Sequence, residues 1–75
     1  MIKITVKLFA ALRKGRFEKE PRKYSSGTTV KQVIDELNIP RDQAAIIFVN
    51  NRHAKLEYQL SDGDVVAFFP PIGGG

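Results

Sequence analysis

Residues 29–40, TVKQVIDELNIP, set Val30, Val33, Ile34 and Leu37 at i, i+3, i+4 and i+7, one apolar stripe on one short helix. Thr29 can cap its start, and Gln32, three residues on, can return a bond to the cap's own N–H. Asn38 suits a left-handed C′ position, Ile39 can fold back onto the last turn, and Pro40 forbids continuation. Every other patterned segment of the 75 residues reads as strand, so the sheet has a single helix with which to cover one of its faces.

Ile2, Ile4, Val6 and Leu8 alternate with Lys3, Thr5 and Lys7, the period of a half-buried strand, and Phe9 falls on the solvent side of that alternation. Residues 10–16, AALRKGR, read as a short helical turn closing at Gly15, followed by a weaker strand over Phe17–Tyr24 and a Ser25-Ser26-Gly27 loop. Ala44–Val49 is an apolar, β-branched run ending in the turn-prone Asn50-Asn51, and a short strand through His53–Lys55 completes a hairpin. Leu56–Leu60 is irregular, and Ser61-Asp62-Gly63-Asp64 is a tight turn. Val65–Phe69 has no polar residue on either face, which assigns it to the centre of a sheet, beside the first strand; Pro70-Pro71 ends it. The order strand, strand, helix, strand, strand, strand predicts an α+β chain of the β-grasp type, a mixed four- to five-stranded sheet packed on one main helix. Residues 1–69 form that domain, and residues 70–75 an extended, flexible tail.

A chain of this length buries only roughly 60% of its unfolded surface, which leaves little room for a deep, water-excluding active site. There is no cysteine, hence no disulfide, thiolate nucleophile or cysteine metal site. His53 is the single histidine and cannot hold zinc alone; it reads as structural. No nucleophile–base pair, paired carboxylates or phosphate loop is visible, so a self-sufficient enzyme is not expected. The alternating start differs from the apolar core of a signal peptide, and no apolar run approaches the ~20 residues that span a bilayer. A soluble, cytoplasmic protein without a membrane partner is expected.

The formal charge of +4 resides in the stretch Arg13–Lys23, with Arg13, Lys14, Arg16, Lys19, Arg22 and Lys23 against Glu18 and Glu20, the remaining charges cancelling. Such a run is a solvated loop or a docking patch for an acidic or anionic partner. No aromatic ladder accompanies it, which argues against nucleic acid as the partner.

The end of the chain is less ordinary. Pro70 and Pro71 stiffen the exit from the last strand, and Gly73, Gly74 and Gly75 follow Ile72 as a thread without side chains. Six residues past Phe69 reach up to about 20 Å, into channels too narrow for a Cβ. Glycines at a terminus are also what a frayed end looks like; the rigid proline spacer favours a presented tip. In addition, with Val66 and Phe68 facing the helix, Val65, Ala67 and Phe69 face the other way, joined there by Phe9. That apolar face is either a partner surface or is covered by the 56–60 loop.

The run Asp62-Gly63-Asp64, apolar strand, Phe69-Pro70-Pro71, ending in Gly74-Gly75, resembles the C-terminus of the MoaD/ThiS sulfur-carrier family, closest to molybdopterin synthase small subunits. Ile2–Leu12 with its Leu8-Phe9-Ala10, the helix opening Thr29-Val30 and the Val49-Asn50 step resemble that family too. The resemblance covers essentially the whole chain and implies a ubiquitin-like β-grasp fold and a carrier, not an enzyme. It implies that the Gly75 carboxylate is adenylated by a ubiquitin-activating-enzyme-like adenylyltransferase using ATP and magnesium, the chain itself binding no cofactor. A persulfide sulfur donor then converts it to a thiocarboxylate, which the molybdopterin synthase large subunit, or another sulfur-accepting enzyme, uses in molybdenum cofactor biosynthesis. Under this resemblance Gly74 and Gly75 are the active tip, and Phe9, Phe69, Pro70, Pro71, Ile72 and Gly73 bind partners. Sulfur donation for thiamine thiazole, modification of protein lysines, and RNA binding through Arg13–Lys23 remain as alternatives.

Overall fold

The computed structural model describes residues 1–71. The expectations for Ile72, Gly73, Gly74 and Gly75, and with them most of the 70–75 tail, lie outside the described residues. The elements are β1 (Ile2–Leu8), a 3₁₀ turn (Ala10–Arg13), β2 (Lys19–Tyr24), α1 (Val30–Glu36), a second 3₁₀ turn (Arg41–Gln43), β3 (Ile46–Val49), β4 (Arg52–His53) and β5 (Val65–Phe69). They form a five-stranded sheet in the order β2-β1-β5-β3-β4. β1 pairs antiparallel with β2 and parallel with β5, and β3 pairs antiparallel with β5 and β4. A mixed sheet with its last strand at the centre, crossed by one α-helix, is the β-grasp arrangement. No helix among the described residues is long and apolar enough to cross a membrane.

The α1 stripe behaves as its spacing requires: Val30, Val33 and Ile34 are fully buried against Ile4, Val6 and Leu8 of β1 and Val66 and Phe68 of β5. The capping box is complete, with the Gln32 N–H donating to Thr29 Oγ1 at 3.3 Å and the Thr29 N–H to Gln32 Oε1 at 2.8 Å. At the other end Asn38 has φ 58°, the Asn38 N–H donates to the Asp35 carbonyl at 3.1 Å and the Ile39 N–H to Ile34 at 3.2 Å. That bond pattern is a Schellman stop.

The first-turn amides of α1 find partners outside the helix. Val30 N–H donates to the Tyr58 carbonyl and Lys31 N–H to the Leu56 carbonyl, each at 3.0 Å. These bonds, together with a bridge between Thr29 and Gln59, hold the 56–60 segment at the helix start, where Leu60 is buried in the core. The alternative in which this loop covers the opposite sheet face is therefore corrected: orphan helix donors claim it.

Three strand boundaries also shift; β3 begins at Ile46 instead of Ala44, because Ala44 caps the 3₁₀ turn over Arg41–Gln43. β2 begins at Lys19 instead of Phe17, because Gly15, at φ 73°, and the residues after it complete the turn from β1. β4 is Arg52–His53 instead of His53–Lys55, because Asn50 and Asn51, at φ 52° and 68°, form a two-residue hairpin loop that returns the chain immediately. The helical turn expected over residues 10–16 is confined to Ala10–Arg13.

The turn before β5 is tied to two strands at once. Asp62 Oδ1 accepts the Lys3 N–H at 2.8 Å, and Gly63, at φ 88°, donates its N–H to the Lys3 carbonyl at 2.8 Å. Buried Asp64 accepts from Asn50 Nδ2 at 2.9 Å and from the Ser61 N–H at 2.8 Å, while Asn50 Oδ1 accepts the Val65 N–H at 2.9 Å. These bonds fix the register of β5 between β1 and β3, and so fix where the chain leaves the sheet.

Candidate functional site

With α1 on one side, the other face of the sheet is left uncovered by the described residues. Alternation along β5 directs Val66 and Phe68 into the core and leaves Val65, Ala67 and Phe69 half-buried on the open side. The Phe9 N–H donates to the Phe68 carbonyl at 3.2 Å, which holds Phe9 beside the end of β5. The rings of Phe9 and Phe69 stack there, with centroids 4.2 Å apart and planes 12° from parallel. Phe48 joins from β3, its ring 5.6 Å from Phe69 in an edge-on contact, and His53 of β4 lies 4.5 Å from Phe48. The guanidinium of Arg13 sits 5.7 Å from the Phe9 ring centre.

The structure thus brings Phe9 and Phe69 together and sets Pro70, half-buried, and Pro71, exposed, directly after them. Ile72, Gly73, Gly74 and Gly75 lie outside the described residues. Phe48 and His53 belong to the same surface and escape a reading of the sequence. Ala44–Val49 is apolar throughout, so no period shows which side Phe48 takes. Only its pairing with Ala67, and that of Ile46 with Phe69, settles it. His53 is exposed and stands opposite Phe48 across the hairpin, so its neighbour is a surface aromatic and not the core.

The basic stretch Arg13–Lys23 does not act as one patch. Arg13 donates from Nε to the Leu8 carbonyl at 3.0 Å and lies 3.7 Å from Glu18. Arg16 donates to the Leu12 carbonyl in the 3₁₀ turn and to the carbonyls of Leu37 and Asn38 at the end of α1, and so ties the two together. Arg22 faces the helix side, bonded to Glu20, Tyr24 and Glu36. There the Tyr24 hydroxyl donates to Glu36 Oε1 at 2.6 Å; burial, and then that bond, push its pKa up to about 12. For Arg22, burial pulls downward, but Tyr24, Glu36 and Glu20 outweigh it and the net displacement is upward.

The model of the ThiS family matches residues 6–75. The chain belongs to the ThiS family. This ThiS-family chain is 37% identical to the molybdopterin synthase sulfur carrier subunit of Mycobacterium tuberculosis, an alignment spanning 100% of both. Among solved structures it is similar to a Pyrococcus furiosus protein described as subunit 1 of molybdopterin converting factor, at 28% identity and TM-score 0.77, covering 96% of this chain and 100% of that one. It is also similar to the small archaeal modifier protein 1 of Methanosarcina acetivorans, at 27% identity and TM-score 0.72, covering 100% of this chain and 98% of the other.

Proposed function

We propose that this chain is a sulfur carrier that delivers sulfur from the C-terminal carbon of Gly75 in molybdopterin biosynthesis. The observation that carries the reading is the position of the aromatic patch. The central strand β5 ends at Phe69, inside the cluster of Phe9, Phe48 and Phe69, and the sequence then runs Pro-Pro-Ile-Gly-Gly-Gly. A partner seated on that face meets the tail where it leaves the sheet. Identity of 37% to a molybdopterin synthase sulfur carrier subunit along its full length supports the pathway.

The chemistry follows from the weakness of a carboxylate as an electrophile. In the proposed cycle the Gly75 carboxylate attacks the α-phosphorus of ATP on a ubiquitin-activating-enzyme-like partner with magnesium, and pyrophosphate leaves. The terminal sulfur of a donor persulfide attacks the acyl carbon and AMP leaves, giving an acyl disulfide. A thiolate then attacks the distal sulfur of that disulfide and releases the thiocarboxylate. The thiocarboxylate, soft and nucleophilic, attacks a carbon of the acceptor held by the synthase large subunit and displaces a leaving group from it; water then hydrolyses the resulting thioester, which leaves the sulfur on the acceptor and regenerates the Gly75 carboxylate. The carrier supplies the tip and the docking face, and Gly74, having no side chain, leaves room for a partner around the terminal carbon. Phe9, Phe69, Pro70, Pro71, Ile72 and Gly73 contact the partners.

A second reading is favoured by the similarity to an archaeal modifier protein. The same adenylate, attacked by a lysine amine, gives an isopeptide bond. Activation is tested by ATP–pyrophosphate exchange with the adenylyltransferase of the same organism. Exchange is expected only when the chain is added, and to vanish when both Gly74 and Gly75 are deleted, which removes the terminal Gly-Gly. Exchange that persists without Gly74 and Gly75 contradicts both readings, and isopeptide-linked conjugates in a lysate favour the second.

A further inference from the structure

The open face has a second region. Across β1 and β2, Lys3 stands directly opposite Lys23 and Lys7 directly opposite Lys19, with Thr5 and Pro21 between them. All these residues share the face away from α1, since Ile2, Ile4, Val6 and Leu8 point into the core. Lys3, Lys19 and Lys23 are exposed and Lys7 is half-buried, and among the described residues none of the four makes an ion pair. Opposed side chains in a sheet lie about 5 Å apart, and like charges there destabilise it. Along the strands the two pairs are separated by roughly 13 Å. Six of the eight side-chain carboxylates bond other groups: Glu18 lies by Arg13, Glu20 and Glu36 bond Arg22 on the helix side, Asp35 bonds Lys31 and Arg41, Asp62 takes the Lys3 backbone N–H, and Asp64 is held in the turn before β5.

Resting on the carrier reading above, we infer that Lys3, Lys7, Lys19 and Lys23 are an electrostatic docking site for an acidic surface of the synthase large subunit. The array adjoins the aromatic patch: Lys7 pairs with Ala67 of β5, and Phe9 follows two residues after it on the same face. One partner therefore covers both, the aromatic end supplying burial and the lysine end steering and orientation. Charge complementarity selects an acidic partner. The aromatics argue against single-stranded RNA, because the rings of Phe9 and Phe69 stack on each other instead of presenting free faces to bases. Lysine suits such a role, being a mobile point charge, whereas Arg13, Arg16 and Arg22 of the same stretch are spent on carbonyls and carboxylates within the fold.

The test uses full-length protein and the molybdopterin synthase large subunit of the same organism, with stopped-flow association at low and high salt. Replacing all four lysines by glutamine is expected to slow association at least about tenfold at low salt, to leave dissociation nearly unchanged and to flatten the salt dependence. The unfolding midpoint should hold or rise, since two like-charge pairs are relieved. An unchanged rate and salt slope in the variant, with wild type binding normally, overturns the docking site alone. Failure of wild type to bind the large subunit overturns the carrier reading, and the docking site with it. Tight binding of a uridine 12-mer near physiological salt, lost in the glutamine variant, overturns the choice of partner in favour of RNA.

Discussion

The Tyr24 hydroxyl shows how a single group couples this fold to pH. It donates to Glu36 and accepts from Arg22 Nε at 2.9 Å, linking β2 to α1 through its neutral form. With its pKa raised from 10.0 to about 12, the contribution to stability is complete below pH 10 and is lost as pH rises toward 12, because the unfolded chain ionises first. Tyr24→Phe should remove that dependence: urea midpoints of wild type and variant, compared from neutral pH upward, should converge in alkali. Parallel curves would contradict this account of the network. The arginine–lysine division is legible at this scale only afterwards. In the sequence Arg16 and Lys14 are equivalent charges; in the fold the fork of Arg16 is received by two carbonyls at the end of α1 and one in the 3₁₀ turn.

Among the elements, β5 is the strand on which structure and function separate residue by residue. Phe68 is fully buried under α1, and Phe68→Ala should cost about 3–5 kcal/mol, a large share of the stability of a chain this small. Phe69 points the other way and shares its ring face with Phe9, so Phe69→Ala should cost only about 0.5–1.5 kcal/mol for the lost pair. Its larger effect should fall on binding to the large subunit, weakened about 30-fold or more, as for a buried aromatic anchor. Urea denaturation and calorimetric titration of both variants check the contrast; equal effects of the two substitutions on stability would contradict it.

The central place of β5 and the capping of α1 were readable because apolar period, cap residues and proline stops all leave marks in side-chain identity. The position of the 56–60 segment was not, since it is held by the carbonyls of Leu56 and Tyr58, and any residue supplies a carbonyl. The side taken by Phe48 was hidden for a related reason: an unbroken apolar run has no phase until its neighbour strand gives it one.

At the scale of the whole molecule, one helix on a five-stranded sheet leaves a face that is aromatic where the chain exits and basic at the opposite side. The net charge of +4, which in the sequence sits in Arg13–Lys23, is redistributed by folding. β1 contributes Lys3 and Lys7 to that face, and the arginines are withdrawn from it into structural bonds. The candidate site is therefore an assembly of sheet register and exit geometry, of which the sequence displays the tail and the two flanking phenylalanines but not the surface that joins them. In the proposed cycle the last carbon of this molecule carries the sulfur. The direct measurement is the intact mass of the purified chain after incubation with its activating enzyme, ATP, magnesium and a persulfide donor. The expected result is a gain equal to the exchange of one oxygen for one sulfur, absent from the variant lacking Gly74 and Gly75. An unchanged mass, with the same enzyme competent on another carrier, would contradict it.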